Sequence, residues 1–160
     1  METRLAKLAG GAYDALVVAR AGLDRLGLAP AHAATLSPEE FPPAVGQGVL
    51  GVEVREDDRE TRALVGKLDH ARTRMEAHAE RAFLHRMDAG CHTAVAGYAR
   101  LDGDALGMTG LVASADGATM LRASITGLVS SAEALGQKLA DELLARGARR
   151  LLDVAADQSG

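Results

Sequence analysis

Between residues 94 and 125 three alternating apolar segments follow one another, 94–101, 106–113 and 119–125, parted by Asp102-Gly103-Asp104 and Asp116-Gly117. Successive side chains of a strand point to opposite faces, so each segment presents one apolar face. Asp-Gly steps accept the tight backbone that joins antiparallel neighbours. The stretch predicts a three-stranded antiparallel sheet, and a sheet this small must bury its apolar face under helices. Helical patterns flank it. Residues 70–87 precede it, with Ala71, Met75, His78, Ala82 and Leu84 placed near one stripe. After it, Ser130 with Glu133 three residues on reads as a capping box. The helix opened there puts Leu135, Leu139 and Leu143 on one face and ends near Gly147. Residues 70–160 are thus expected to form a small α+β domain.

The first part of the chain follows a different plan. Residues 3–8 read as a helix, with Leu5 and Leu8 on one face, stopped by Gly10-Gly11. The near-continuous apolar run 13–18 reads as a buried strand of a parallel sheet. Residues 21–28 form a short helical or turn segment. Helix, strand and helix arrive without the preceding strand of a βαβ unit, so this part reads as the middle of an α/β domain. Residues 29–48 hold all four prolines and read as a connector. Residues 49–54 alternate as a strand, and 57–68 read as a helix.

Composition narrows the function classes. Hydrophobic residues make up 48% of the 160 but aromatics only 2%, so the core must be aliphatic. A net charge of −4 gives no general basic field for nucleic acid. One cysteine excludes an internal disulfide framework and suits a reducing, cytoplasmic setting. No signal peptide is legible, and no apolar run approaches the ~20 residues of a membrane span.

Chemistry concentrates in Met87-Asp88-Ala89-Gly90-Cys91-His92-Thr93-Ala94-Val95-Ala96-Gly97-Tyr98-Ala99. Gly90 sits where the preceding helix would end, since glycine accepts left-handed backbone cheaply. Cys91 would then lie on a loop within a ligand's reach. Taken alone, a lone cysteine is more often a buried structural thiol. His78 and His85 stand roughly 10 Å apart along one helix, too far to share a zinc ion. A Cys91/His92 hydrolase lacks a third orienting group and the local signatures of cysteine proteases. Gly46-Gln47-Gly48-Val49-Leu50-Gly51 matches GxGxxG, but prolines precede it and a strand pattern follows, so the context of a dinucleotide site is missing.

Several segments, in order, resemble the porphobilinogen deaminases (hydroxymethylbilane synthases). Gly90-Cys91 after Glu80-Arg81-Ala82-Phe83-Leu84 is similar to that family's cofactor-attachment loop. Thr3-Arg4-Leu5, Ala21-Gly22-Leu23-Asp24-Arg25-Leu26-Gly27 and Pro43-Ala44-Val45-Gly46-Gln47-Gly48-Val49 resemble other family motifs. The resemblance implies a transferase that joins four porphobilinogen molecules head to tail into hydroxymethylbilane, releasing ammonia, in tetrapyrrole and haem biosynthesis. It implies a dipyrromethane cofactor held by Cys91 through a thioether. Arg4 and Arg25 would bind pyrrole carboxylates, Gly22 would admit the backbone close to the pyrroles, and Gln47 would border the cleft.

The implied architecture is α/β followed by α+β. Residues 1–42 would be the latter part of a periplasmic-binding-protein-like second domain. Residues 43–66 would be a hinge strand and helix returning to the first, and 70–160 the cofactor-attachment domain. The catalytic aspartate would lie in an amino-terminal half supplied from outside this sequence, leaving the chain inactive alone. The competing expectation is a non-catalytic α/β module that binds a small carboxylate or a partner chain.

Overall fold

The computed structural model describes the backbone of residues 1–89 and 93–157, and side chains as far as Asp153. Two units divide it, Met1–Leu36 and Ser37–Gly160.

The first unit holds α1 (Glu2–Ala9) and α2 (Arg20–Arg25). None of its residues is buried. The strand expected at 13–18 does not form, and Tyr13 and Val17 stand 46% and 70% exposed. The reason is pairing: a strand exists only as one side of a hydrogen-bonded ladder, and no described residue offers the other side.

In the second unit, 49–54 is likewise unpaired, with Leu50 81% exposed. Helix α3 (Arg59–Val65) follows and tightens into a 3₁₀ turn, Gly66–Leu68. Asp58 caps α3, its Oδ1 accepting from Thr61 N at 3.0 Å. His70 caps α4 (Ala71–Met87). Strands β1 (Ala94–Asp102), β2 (Ala105–Ala113) and β3 (Met120–Leu128) then form an antiparallel sheet in that order. Helices α5 (Ala132–Ala145) and α6 (Ala148–Asp157) complete the unit, broken apart at Gly147, whose φ is 99°. The α+β class is therefore the observed one.

The sheet's inner face carries Gly97, Ala99, Leu106, Met108, Gly110, Val112 and Ala123, packed under α4 and α5. Registry aligns Gly97, Gly110 and Ala123 across the three strands. This band of small residues makes room for the fully buried Phe83 ring: a Cβ at Gly110 would lie 2.8 Å from it. Gly136 brings α5 against α4 so closely that a Cβ there would stand 2.1 Å from Ala79 O.

Two helix expectations need correction. The buried positions of α4 are Ala79, Glu80, Phe83 and Met87, not the stripe through Ala71, Met75, His78, Ala82 and Leu84. The inward face is set by where the glycine band lets α4 approach, and that face carries a charge the hydrophobic pattern passes over. The Ser130–Glu133 capping box does not form either. Ser130 lies in a 3₁₀ turn, Val129–Ser131, the N-cap is Ser131 without a side-chain bond, and Glu133 meets His78 at 3.4 Å instead.

On the sheet's other face, Arg122 donates to the carbonyl oxygens of Glu39 and Glu40, and Arg100 meets the Glu39 carboxylate at 3.2 Å. These contacts fasten the proline-rich connector to the sheet.

Candidate cofactor-attachment site

Helix α4 ends at Met87, and the residue that turns the chain out of it is Asp88, with φ 51° and ψ 46°. Gly90 was the expected left-handed stop. An aspartate tolerates that region better than most side chains, and the helix is already closed two residues earlier. Gly90, Cys91 and His92 lie outside the described residues. The described chain resumes at Thr93 and enters β1 at Ala94, so Cys91 belongs to the connection between α4 and the first strand.

A shallow groove of about 690 Å³ borders that connection, lined by Arg81, Leu84, His85, Arg86, Asp88, Ala89 and Arg149. Arg86 is engaged by Asp141 at 2.7 Å. Arg149 reaches Asp88 only at 3.9 Å, and Arg81 has no ion pair among the described residues.

Arg4 lies on α1 and Arg25 at the end of α2, both exposed, and neither side chain has a hydrogen bond or ion pair among the described residues. Gly22, within α2, is half-buried, and a Cβ there would stand 3.0 Å from the Met1 methyl. These three belong to the first unit. Gln47 belongs to the second, exposed in a tight turn in which Gln47 N donates to Ala44 O at 3.0 Å and Val49 N to Gly46 O at 3.0 Å. Gly46 opens that turn at φ 72°, a value that favours glycine. Among the described residues no group of three His, Cys, Asp or Glu side chains is gathered as a metal would need, and no helix is long and apolar enough to cross a membrane.

Glu80, named in the sequence reading only as part of a family-like segment, has a role that reading does not assign. It is 7% exposed, and its two carboxylate oxygens accept from Gly46 N at 2.8 Å and Ala99 N at 2.9 Å. Burial pushes its carboxyl above the usual range, the two amide donors pull it back in part, and nearby Glu76 raises it further. A signal for it exists in the sequence. Ala79, Glu80, Phe83 and Met87 follow the i, i+1, i+4, i+8 spacing of one helix face, and a carboxylate on an otherwise apolar face needs donors to meet it.

The described residues of the second unit form a helix-covered three-stranded antiparallel sheet, with Arg81, Arg86 and Arg149 lining the groove at the end of α4. Residues 1–63 match the family model described as porphobilinogen deaminase, dipyromethane cofactor binding domain, and residues 74–145 match porphobilinogen deaminase, C-terminal domain. The chain belongs to the porphobilinogen deaminase family, transferases of tetrapyrrole biosynthesis that act on porphobilinogen with a dipyrromethane cofactor.

Proposed function

We propose that this chain contributes the cofactor-anchoring part of a hydroxymethylbilane synthase, with Cys91 as the anchor. The observation that carries the reading is the order of the two family matches, with Cys91 inside the second, between α4 and β1. The donor chemistry of these residues fits the group. Dipyrromethane bears acetate and propionate carboxylates, and Arg4 and Arg25 present guanidiniums that have no ion pair among the described residues. Guanidinium forks pair with carboxylates bidentately and keep their charge at any working pH. Cys91 would hold the group by a thioether, because a thiolate is the nucleophile an electrophilic methylene carbon needs. When bound, the group supplies the primer to which porphobilinogen units are joined. Gln47, exposed on its tight turn, is the residue we assign to the cleft border.

We further propose the domain plan in which 1–42 completes a periplasmic-binding-protein-like domain, 43–66 returns to its neighbour, and 70–160 carries the cofactor, in the cytoplasm. Support comes from the two strand-like stretches, 13–18 and 49–54, whose apolar side chains stand exposed without a ladder. Unpaired strand edges invite a strand from elsewhere, and the polypeptide supplying the family's catalytic aspartate is the partner assigned here.

The test is turnover. The chain alone is expected to leave porphobilinogen unchanged, and co-production with the amino-terminal half of a family member is expected to restore hydroxymethylbilane formation. In that assembly Arg4→Ala or Arg25→Ala should slow turnover or stall elongation roughly ten-fold or more, the scale of a lost charge-assisted hydrogen bond. Unaltered turnover and an unaltered ladder of enzyme-bound intermediates in both variants would remove these arginines from the site.

A further inference from the structure

Strand β1 is an edge strand, so its outward N–H groups must find acceptors other than a neighbouring strand. Thr93 O accepts from Val95 N at 2.9 Å, and three acceptors from elsewhere in the chain supply the rest. Pro43 O accepts from Gly97 N at 3.1 Å, Glu80 Oε1 from Ala99 N at 2.9 Å, and Glu76 Oε1 from Leu101 N at 2.9 Å. Glu80 differs from the other two in its second oxygen, which reaches away from the strand to Gly46 N at 2.8 Å. One carboxylate therefore grips the strand that follows the Cys91 connection and the turn that presents Gln47. Gly46 lies in the first family match, while Glu80 and Ala99 lie in the second.

We propose that Glu80 is a positioning residue, a clasp that holds the Gln47 turn at a set place on the cofactor-attachment module. Its consequence for the reaction rests on the reading of Gln47 as a cleft residue; the clasp itself does not. A carboxylate this buried is retained only when donors meet it, and backbone N–H groups held by a charged acceptor form bonds about twice as strong as neutral ones. The geometry demands both oxygens. Glutamine has nearly the same shape but one acceptor oxygen, so its amide NH₂ must face one of the two N–H donors. The Pro43–Gly97 bond is a second fastening, so losing one arm of the clasp frees the turn without detaching the whole connector.

The test is amide hydrogen exchange and NMR on the full chain. In the unaltered protein a through-hydrogen-bond coupling is expected between the Gly46 amide nitrogen and the Glu80 carboxyl carbon. In Glu80→Gln the amides of Gly46, Gln47 and Val49 are expected to exchange about ten-fold faster or more, while those of Met108 and Val112 on β2 hold steady. Absence of the coupling in the unaltered protein overturns the proposal, even if the variant fails to fold. So does unchanged protection of the turn in Glu80→Gln, or a proportionate loss of protection through the whole sheet, which marks a residue of general stability only. All of these are read without cofactor or substrate, so they can fail while the Cys91 assignment stands, and the reverse.

Discussion

Glu80 ties two backbone amides together from a buried position, and that burial gives its carboxyl a pH dependence. Its carboxyl is held above its ordinary value of 4.5, chiefly by burial. The folded protein therefore binds that proton more tightly than the unfolded chain does. The contribution of this group is fully present below the unfolded value and declines as pH rises through the raised folded one. Glu80→Gln removes that titration. Urea unfolding followed across a pH series should show the unaltered protein losing stability from the ordinary glutamate range upward, with a flatter profile in the variant. Parallel profiles would contradict the assigned shift. At this scale the sequence was partly legible. The arginines and the cysteine stand out as residue types with chemistry to perform. Glu80 is masked by its helix, where glutamate is common on exposed faces and only its spacing from Phe83 and Met87 betrays it.

The elements were most legible where local pattern and tertiary context agree. Helix α4, the three strands and α5 were readable within a few residues, because alternation, Asp-Gly turns and leucine spacing each point to the structure that packing then rewards. Residues 13–18 and 49–54 were not: a strand's sequence announces its propensity, whereas its ladder depends on a neighbour. The capping box failed because the chain enters α5 through a 3₁₀ turn, which shifts the cap by one residue. Two substitutions test the packing. Phe83→Ala empties the space over the glycine band and should cost about 3–5 kcal/mol. Gly136→Ala forces a methyl group against the α4 backbone and should cost about 1–3 kcal/mol through overpacking. Both are read by chemical denaturation, and a loss under about 0.5 kcal/mol in either would mean the helices do not meet the sheet or each other as described.

At the scale of the molecule, burial is distributed unevenly. Residues 1–36 contain no buried side chain, whereas the second unit holds an aliphatic core around Phe83, Leu106, Leu139 and Leu143. Amide exchange should accordingly show weak protection through 1–36 and strong protection in α4, α5 and the three strands; uniform protection would contradict this division. The family could be read from the sequence because its motifs occur in order along the chain. The central claim is that Cys91 carries the dipyrromethane, and intact-mass spectrometry of the chain co-produced with the family's amino-terminal half tests it most directly. The account predicts a covalent dipyrromethane adduct that is lost in Cys91→Ser, since an alcohol is a far poorer nucleophile than a thiolate. An adduct that persists in Cys91→Ser, or an assembly that turns over porphobilinogen with this chain at its unmodified mass, would contradict it.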